Sequence, residues 1–139
     1  MRARVAHDPE SLVEAARSAL GPAIATSHSV DGRLSVIAFD PLMEQRMLES
    51  LRAGDQGSFL MLEPLSAERL ATEVARYAHT AEASGEPAVL VCAQPLRAAV
   101  RRLVETAAPR LAVLSYSELG GQLTLNTAGV VNVPEVSAA

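Results

Sequence analysis

The clearest pattern of apolar and polar positions lies between residues 85 and 119. Residues 88–93 (AVLVCA) form an unbroken apolar run, which is typical of a strand covered on both faces. Gln94-Pro95 then opens a segment with helical spacing of its apolar residues, and after Pro109 a second apolar run follows at 111–115. Strand, helix and strand in this order predict a parallel crossover unit. The apolar positions of the helix are Leu96, Val100, Leu103, Val104 and Ala107.

Upstream, the pattern predicts a helix over 8–20, with Asp8 as its cap, and an apolar stripe of Leu12, Val13, Ala16 and Leu20. Asp31-Gly32 is a two-residue hairpin signal and predicts strands over 23–30 and 33–39. The remaining predicted elements are a helix from Pro41 to about Gly54, a short strand at 59–62, a helix over 64–83 and a final edge strand at 122–131.

These elements predict an α/β fold, with an N-terminal helix and β-hairpin followed by a β-α-β-α-β arrangement. The sheet is expected to be partly parallel, with helices packed on it. Residues 1–139 are expected to form one domain, with sub-lobes at 8–53 (helix-hairpin-helix) and 58–131 (α/β crossover) and a loose tail at 132–139.

Composition narrows the classes of partner. The 139 residues are 49% apolar and carry a net charge of −4, which argues against nucleic acid as the main ligand. All 12 basic residues are arginines. The single cysteine, Cys92, lies in an apolar run and is expected to be buried and inert. Apolar runs long enough to cross a membrane are missing from the sequence, so the chain itself is expected to be soluble.

Few residues of the sequence are candidates for catalysis or for metal binding. The strand ends near Gln94 and Ser115 are where an α/β enzyme would keep its site. The histidines, His7, His28 and His79, do not cluster with nucleophiles or with one another, so catalytic, cofactor and metal sites are all expected to be absent. Arginines on the polar face of the 95–108 helix, and one just after it, suggest either solvated surface or a contact with an acidic protein. They are Arg97, Arg101, Arg102 and Arg110.

Residues 85–119 closely resemble a signature stretch of the type III export-gate family, which serves flagellar assembly and virulence secretion. The similar pieces are Val89-Leu90-Val91, Leu96-Arg97, Arg101-Arg102-Leu103 with Glu105, Pro109, and Val113-Leu114-Ser115-Tyr116 with Glu118. Segments 12–24, 31–45 and 57–64 resemble the family in the same order. The chain departs from the family at Ala112, where proline is usual, and after Glu118.

The resemblance implies the last cytoplasmic subdomain of a larger inner-membrane protein. Such a subdomain would be non-catalytic, without cofactors, and would contribute to docking and gating of export substrates and their chaperones beside other export-apparatus subunits. It lies at the cytoplasmic face of the bacterial inner membrane. The full protein would form a ring, whereas the present chain is expected to be mostly monomeric.

The resemblance also implies a role for the polar run at 115–118. Ser115 to Glu118 are expected to end a buried strand and fix the next turn, with Tyr116 and Glu118 joining the four arginines as a candidate protein-interaction surface. The alternative is a small α/β enzyme or ligand-binding domain with a site near Gln94 and Ser115.

Overall fold

The computed structural model describes residues 9–119 and 123–137. Four strands form one sheet in the order β5-β4-β1-β6, and β1–β4, β1–β6 and β4–β5 are all parallel pairs. A separate antiparallel hairpin joins β2 and β3. The helices are α1 (Pro9–Ala19), α2 (Gly21–Ser27), α3 (Pro41–Glu49), α4 (Pro64–Ala83), α5 (Arg97–Val104) and α6 (Pro134–Ser137). The strands are β1 (Arg33–Phe39), β2 (Leu51–Gly54), β3 (Gly57–Leu60), β4 (Ala88–Cys92), β5 (Val113–Ser115) and β6 (Thr124–Val131).

Both faces of the sheet are covered, and this explains the unbroken apolar run of β4, where every residue is buried. On one face, α3, α4 and α5 pack their apolar residues against alternate positions of the strands. On the other face, α2 covers a smaller cluster. The larger cluster includes Ile37, Met43, Met47, Leu70, Val74, Leu90, Val100 and Val104; the smaller includes Ala25, Leu34, Val36, Val89, Val91 and Leu114.

The predicted α/β class, the parallel β4–α5–β5 unit, α4 and the final edge strand are confirmed. Helix α4 spans the predicted 64–83, and Leu70 and Val74 are fully buried on it. Strand β6 lies at an edge of the sheet beside β1. The two predicted sub-lobes share this one sheet, because β1 from the first lies between β4 and β6 from the second.

The predicted strand over 23–30 is wrong, because residues 21–27 form α2. The turn itself is correct: Asp31 and Gly32 have φ of 53° and 75°, and Val30 and Arg33 exchange backbone hydrogen bonds across them. The strand fails because β4 and β6 already occupy both edges of β1, which leaves no position for an antiparallel partner. Residues 21–27 instead cover the sheet with Ala25.

The predicted helix over 41–54 ends early, at Glu49. Asp40 caps its start as expected from Asp-Pro, accepting the N–H groups of Leu42 and Met43 at 3.1 and 3.2 Å. Residues 51–60 then form the β2–β3 hairpin, in which Leu51 pairs with Leu60. Both leucines pack partly against the core, which a continued helix would not allow for the pair.

The expected loose tail at 132–139 is also wrong within the part described. Val133 and Val136 are buried in the main cluster, and the Val133 N–H lies 3.2 Å from the Met43 sulfur. Glu135 of α6 forms an ion pair with Arg69 of α4. The predicted cap at Asp8 lies outside the described residues.

Gly129 provides a test of the packing between α4 and β6. A methyl group added there would overlap the ring of Tyr77. We expect Gly129→Ala to lower the free energy of unfolding by about 1–3 kcal/mol, as overpacking does in a filled core. Urea denaturation measures the loss. Thr127→Ala, at an exposed position of the same strand, is the control. If Gly129→Ala were as stable as the control, or if Tyr77→Ala failed to relieve the loss in the double variant, the ring would not limit this position.

Candidate interaction surface

The polar run after β5 forms a short 3-10 turn, Tyr116–Glu118, that is fixed from inside the protein. The Glu118 carboxylate accepts the Ser115 N–H at 2.9 Å, and the Ser115 side chain accepts the Glu118 backbone N–H in return, which makes a reciprocal capping box. The Ser115 hydroxyl also lies 3.0 Å from the same carboxylate oxygen. The other Glu118 oxygen lies 2.9 Å from the Arg17 guanidinium of α1. Glu118 is fully buried. The expectation that Ser115 to Glu118 end the strand and fix the next turn is therefore confirmed.

Tyr116 is the aromatic residue of this turn and is exposed, with 48% of its surface accessible. Its hydroxyl donates to one oxygen of Glu44 at 3.1 Å, while the other Glu44 oxygen accepts the Ala93 N–H at 2.8 Å. Glu44 thus joins the ends of β4 and β5 to helix α3. Partial burial, followed by the Glu44 charge, raises the pKa of Tyr116 to about 12.

A second ion pair lies nearby, between Arg97 at the start of α5 and Glu14 of α1. The Arg97 Nε–H lies 2.8 and 3.1 Å from the two Glu14 oxygens. Both side chains are mostly buried, at 12% and 14% exposure. Arg97 and Arg17 also direct guanidinium groups at the Val113 carbonyl oxygen, at 3.4 and 3.3 Å. Two arginine–carboxylate pairs therefore fasten α1 to the edge of the sheet at β5.

The other candidate arginines lie closer to solvent. Arg102 donates to the Ser58 carbonyl at 2.5 Å and to the Gln56 carbonyl, and so holds the β2–β3 hairpin against α5. Arg101 donates to the Pro109 carbonyl at 3.3 Å. Arg110 is 86% exposed, and its guanidinium lies 3.7 Å from the Glu82 carboxylate.

These placements correct the expected surface. Glu118 is buried and Arg97 nearly so, and the internal partners of both residues explain why. Tyr116, Arg102 and Arg110 remain accessible to another protein. Local sequence patterns contain no direct signal for the partners Glu14, Arg17 and Glu44, because these contacts join residues far apart in the chain.

Helix α1 is oriented differently from the expectation. Its predicted apolar stripe faces outward: Leu12 and Val13 are 53% and 51% exposed, and Leu20, just after the helix, is 59% exposed. The residues that face the sheet are instead Glu14 and Arg17. The charged side of α1 decides its docking, and the apolar side is left accessible.

The structure gives no support to the alternative of a catalytic site near Gln94 and Ser115. Ser115 is buried, and its hydroxyl lies 3.0 Å from the Glu118 carboxylate and 2.9 Å from the Ser117 hydroxyl, so it is held inside the turn rather than presented to a substrate. Burial raises the pKa of the neighbouring Cys92 thiol, which disfavours the reactive thiolate. A groove of about 510 Å³ lies elsewhere, between α1, the hairpin tip and the start of α5. His28 and His79 are exposed, and His7 lies outside the described residues.

Within residues 9–119 and 123–137, three or more His, Cys, Asp or Glu side chains nowhere converge as metal ligands would. In the same ranges, the helices are too short or too polar to cross a bilayer.

The chain is thus an α/β domain with a parallel four-stranded sheet, in which internal polar contacts close the ends of β4 and β5. The sequence matches the FHIPEP family over residues 1–124, and the chain belongs to that family. This confirms the resemblance to the C-terminal subdomain of the type III export gate. Relatives in this family serve flagellar biosynthesis and type III secretion, both of which transport proteins.

Among curated relatives, the flagellar biosynthesis protein FlhA of Bacillus subtilis is 31% identical over 91% of this chain and 19% of its own length. Protein hrpC2 of Xanthomonas euvesicatoria is 33% identical over 88% of this chain and 19% of its own length. The chain thus spans about a fifth of the relatives it matches.

Solved structures share the fold. The MxiA protein of Shigella flexneri superposes with a TM-score of 0.75 at 23% identity, covering 89% of this chain and 40% of that one. The nonameric SctV-C of EPEC gives a TM-score of 0.70 at 28% identity, covering 83% of this chain and 34% of that one. The mostly parallel four-stranded sheet with packed helices is therefore the fold of these secretion proteins.

Removing the Arg17 guanidinium should leave the Glu118 carboxylate buried without its counter-ion. We expect Arg17→Met to lower the free energy of unfolding by about 3 kcal/mol, the low end for breaking a buried pair, because Arg17 is 27% exposed. Urea denaturation measures the change, with Arg52→Met, at an exposed hairpin position, as the control. A double-mutant cycle with Glu118→Gln should show that the two effects are not additive. Additive losses would show that the pair is not coupled.

Ionisation of Tyr116 should be delayed in the folded protein. Subtracting the alkaline absorbance titration of Tyr116→Phe from that of the unchanged protein should give a midpoint near 12, above the ordinary value of 10. Because the pKa is raised on folding, the unfolded state ionises first, so stability should fall between pH 10 and pH 12. Urea unfolding at both pH values should show a smaller fall for Tyr116→Phe. Equal falls would place the phenol in an ordinary aqueous environment.

Proposed function

We propose that this chain is a non-catalytic docking subdomain of a type III export gate, at the cytoplasmic face of the inner membrane. In this role it contributes to docking and gating of export substrates and their chaperones, beside other subunits of the export apparatus. The observation that carries the proposal is the family match over residues 1–124, together with a fold shared with solved secretion proteins.

The assemblies of similar proteins support the choice of partners. The EscV cytosolic domain, 28% identical with a TM-score of 0.68, is described as nonameric and as part of a type III secretion system. CdsV of Chlamydia pneumoniae, 24% identical with a TM-score of 0.64, is described in a complex with CdsO. We infer that the full protein to which this chain belongs assembles as a ring and meets other protein subunits, whereas nucleic acid is not a partner of this acidic chain.

Tyr116 is the strongest candidate contact for such a partner. The sequence holds two Tyr and two Phe. Of these, Phe39 is buried, and Tyr77 packs against Gly129, which leaves Phe59 and Tyr116 as the exposed aromatic side chains. Aromatic anchors dominate protein interfaces, and they bind more strongly when they are ordered beforehand. The capping box and the bond to Glu44 order Tyr116 before any partner arrives.

The proposal is tested by export in cells that carry the full gate protein. Tyr116→Ala removes the ring and should reduce secretion of export substrates by about tenfold, the loss expected for a central aromatic anchor. Tyr116→Phe keeps the ring and gives up only the bond to Glu44, so it should secrete nearly normally.

Two controls separate docking from folding. Immunoblotting should show equal amounts of each gate variant. Arg52→Glu, which changes an exposed arginine that donates to the Glu49 and Leu51 carbonyls, should secrete normally. If export continued unchanged after removal of the whole domain, the docking function would be refuted. If Tyr116→Ala alone left secretion unchanged, Tyr116 would not be the anchor.

A further inference from the structure

A small cavity of about 200 Å³ lies at the amino end of the sheet, on the side opposite to Tyr116. It is bordered by the last turns of α4, the start of β4 and the segment that links α5 to β5, and it is open to solvent on one side. Its floor consists of small or buried apolar residues: Ala78, Ala88, Ala108 and Leu111. Alanines pack close to the backbone, so the space above them is left unfilled.

The rim of this cavity is charged. Glu82 and His79 come from α4, and Arg110 comes from the segment before β5. The Arg110 side chain is 86% exposed, and it approaches Glu82 only to 3.7 Å. A surface ion pair at this distance is weak, so the guanidinium can leave Glu82 for another carboxylate at little cost in free energy.

We propose that this cavity receives one bulky aliphatic side chain of a protein segment that carries a carboxylate beside it. The volume sets the size of the side chain, since an apolar cavity of about 150 Å³ already holds a benzene ring. The Arg110 guanidinium sets the charge, since its planar fork suits a carboxylate. The inference rests on the proposed docking function and names the kind of segment that the domain would bind.

Because of the position of Glu82, the proposal predicts opposite changes in binding affinity for two substitutions. The Glu82 carboxylate shares Arg110 with the incoming carboxylate and also repels it. Neutralising Glu82 should therefore strengthen binding, whereas neutralising Arg110 should weaken it. A merely apolar pocket would respond to neither change.

The test uses N-acetyl-L-leucine, which carries an isobutyl side chain and a carboxylate, as the probe for the 139-residue chain. Proton–nitrogen NMR spectra recorded during the titration should show saturable shifts at the backbone amides of Ala78, Ala108 and Arg110. A dissociation constant of the order of millimolar is expected for a fragment of this size. N-acetyl-L-leucinamide lacks the charge and N-acetylglycine lacks the side chain, so both should bind less tightly.

Matched variants separate charge from volume. Arg110→Gln should lower the affinity for the probe by about two- to fivefold, and Glu82→Gln should raise it by a similar factor. Effects of this size are typical of exposed charge pairs. Ala107→Leu, at an exposed lining position, should fill the cavity and abolish the shifts. Arg52→Gln and Ala53→Leu, on the distant hairpin, are the controls and should leave binding unchanged.

Three results would overturn the inference: shifts that do not saturate, equal binding of the amide and the acid, or equal affinity in Arg110→Gln and the unchanged protein. The measurement uses the isolated chain and no export apparatus. If the probe does not bind, the secretion prediction for Tyr116 is unaffected. If the secretion prediction fails, the binding of the probe is unaffected.

Discussion

The buried Glu118 carboxylate is the interaction on which this structure depends most. It closes the turn after β5 by accepting both the N–H and the hydroxyl of Ser115, and it meets Arg17 from the first helix. A buried carboxylate is costly unless an opposite charge and hydrogen bonds compensate it. Ser115 supplies the hydrogen bonds to one Glu118 oxygen, and the Arg17 guanidinium, 2.9 Å from the other oxygen, supplies the opposite charge. These contacts join the end of β5, the following turn and α1.

The same region supplies hydrogen-bond donors to a backbone carbonyl at the edge of the sheet. Strand β5 is an edge strand of three residues, and its Val113 carbonyl accepts from Arg17 and Arg97, where an interior strand would accept from a backbone N–H. Helix α1 therefore shields one edge through its charged side. Arginine suits this role because its several donors can reach a carboxylate and a carbonyl at once. A lysine in its place would carry its charge and its donors on one compact ammonium group.

Sequence patterns predicted the parts of the fold in which periodicity and burial agree. The run at 88–92 and the helix from Pro64 both have apolar residues on the side that the sheet needs. The predictions failed where tertiary contacts override the local pattern. The Asp31-Gly32 turn is real, yet residues 21–27 form a helix, because the sheet already fills both sides of β1. The stripe of Leu12 and Val13 suggested a buried face, but two ion pairs turn it outward.

The surface residues show the same division between what is local and what is not. Arginines on the polar face of α5 were identifiable from helical spacing, but spacing could not separate Arg97, which meets Glu14 more than 80 positions away, from Arg102, which stays near solvent. Tyr116 and Glu118 differ by two positions in one motif, yet one is exposed and the other is buried. In a 3-10 turn, successive side chains point about 120° apart, so a turn of this kind necessarily divides a polar run between the interior and solvent. The motif therefore serves folding through Glu118 while it leaves the Tyr116 ring accessible to solvent.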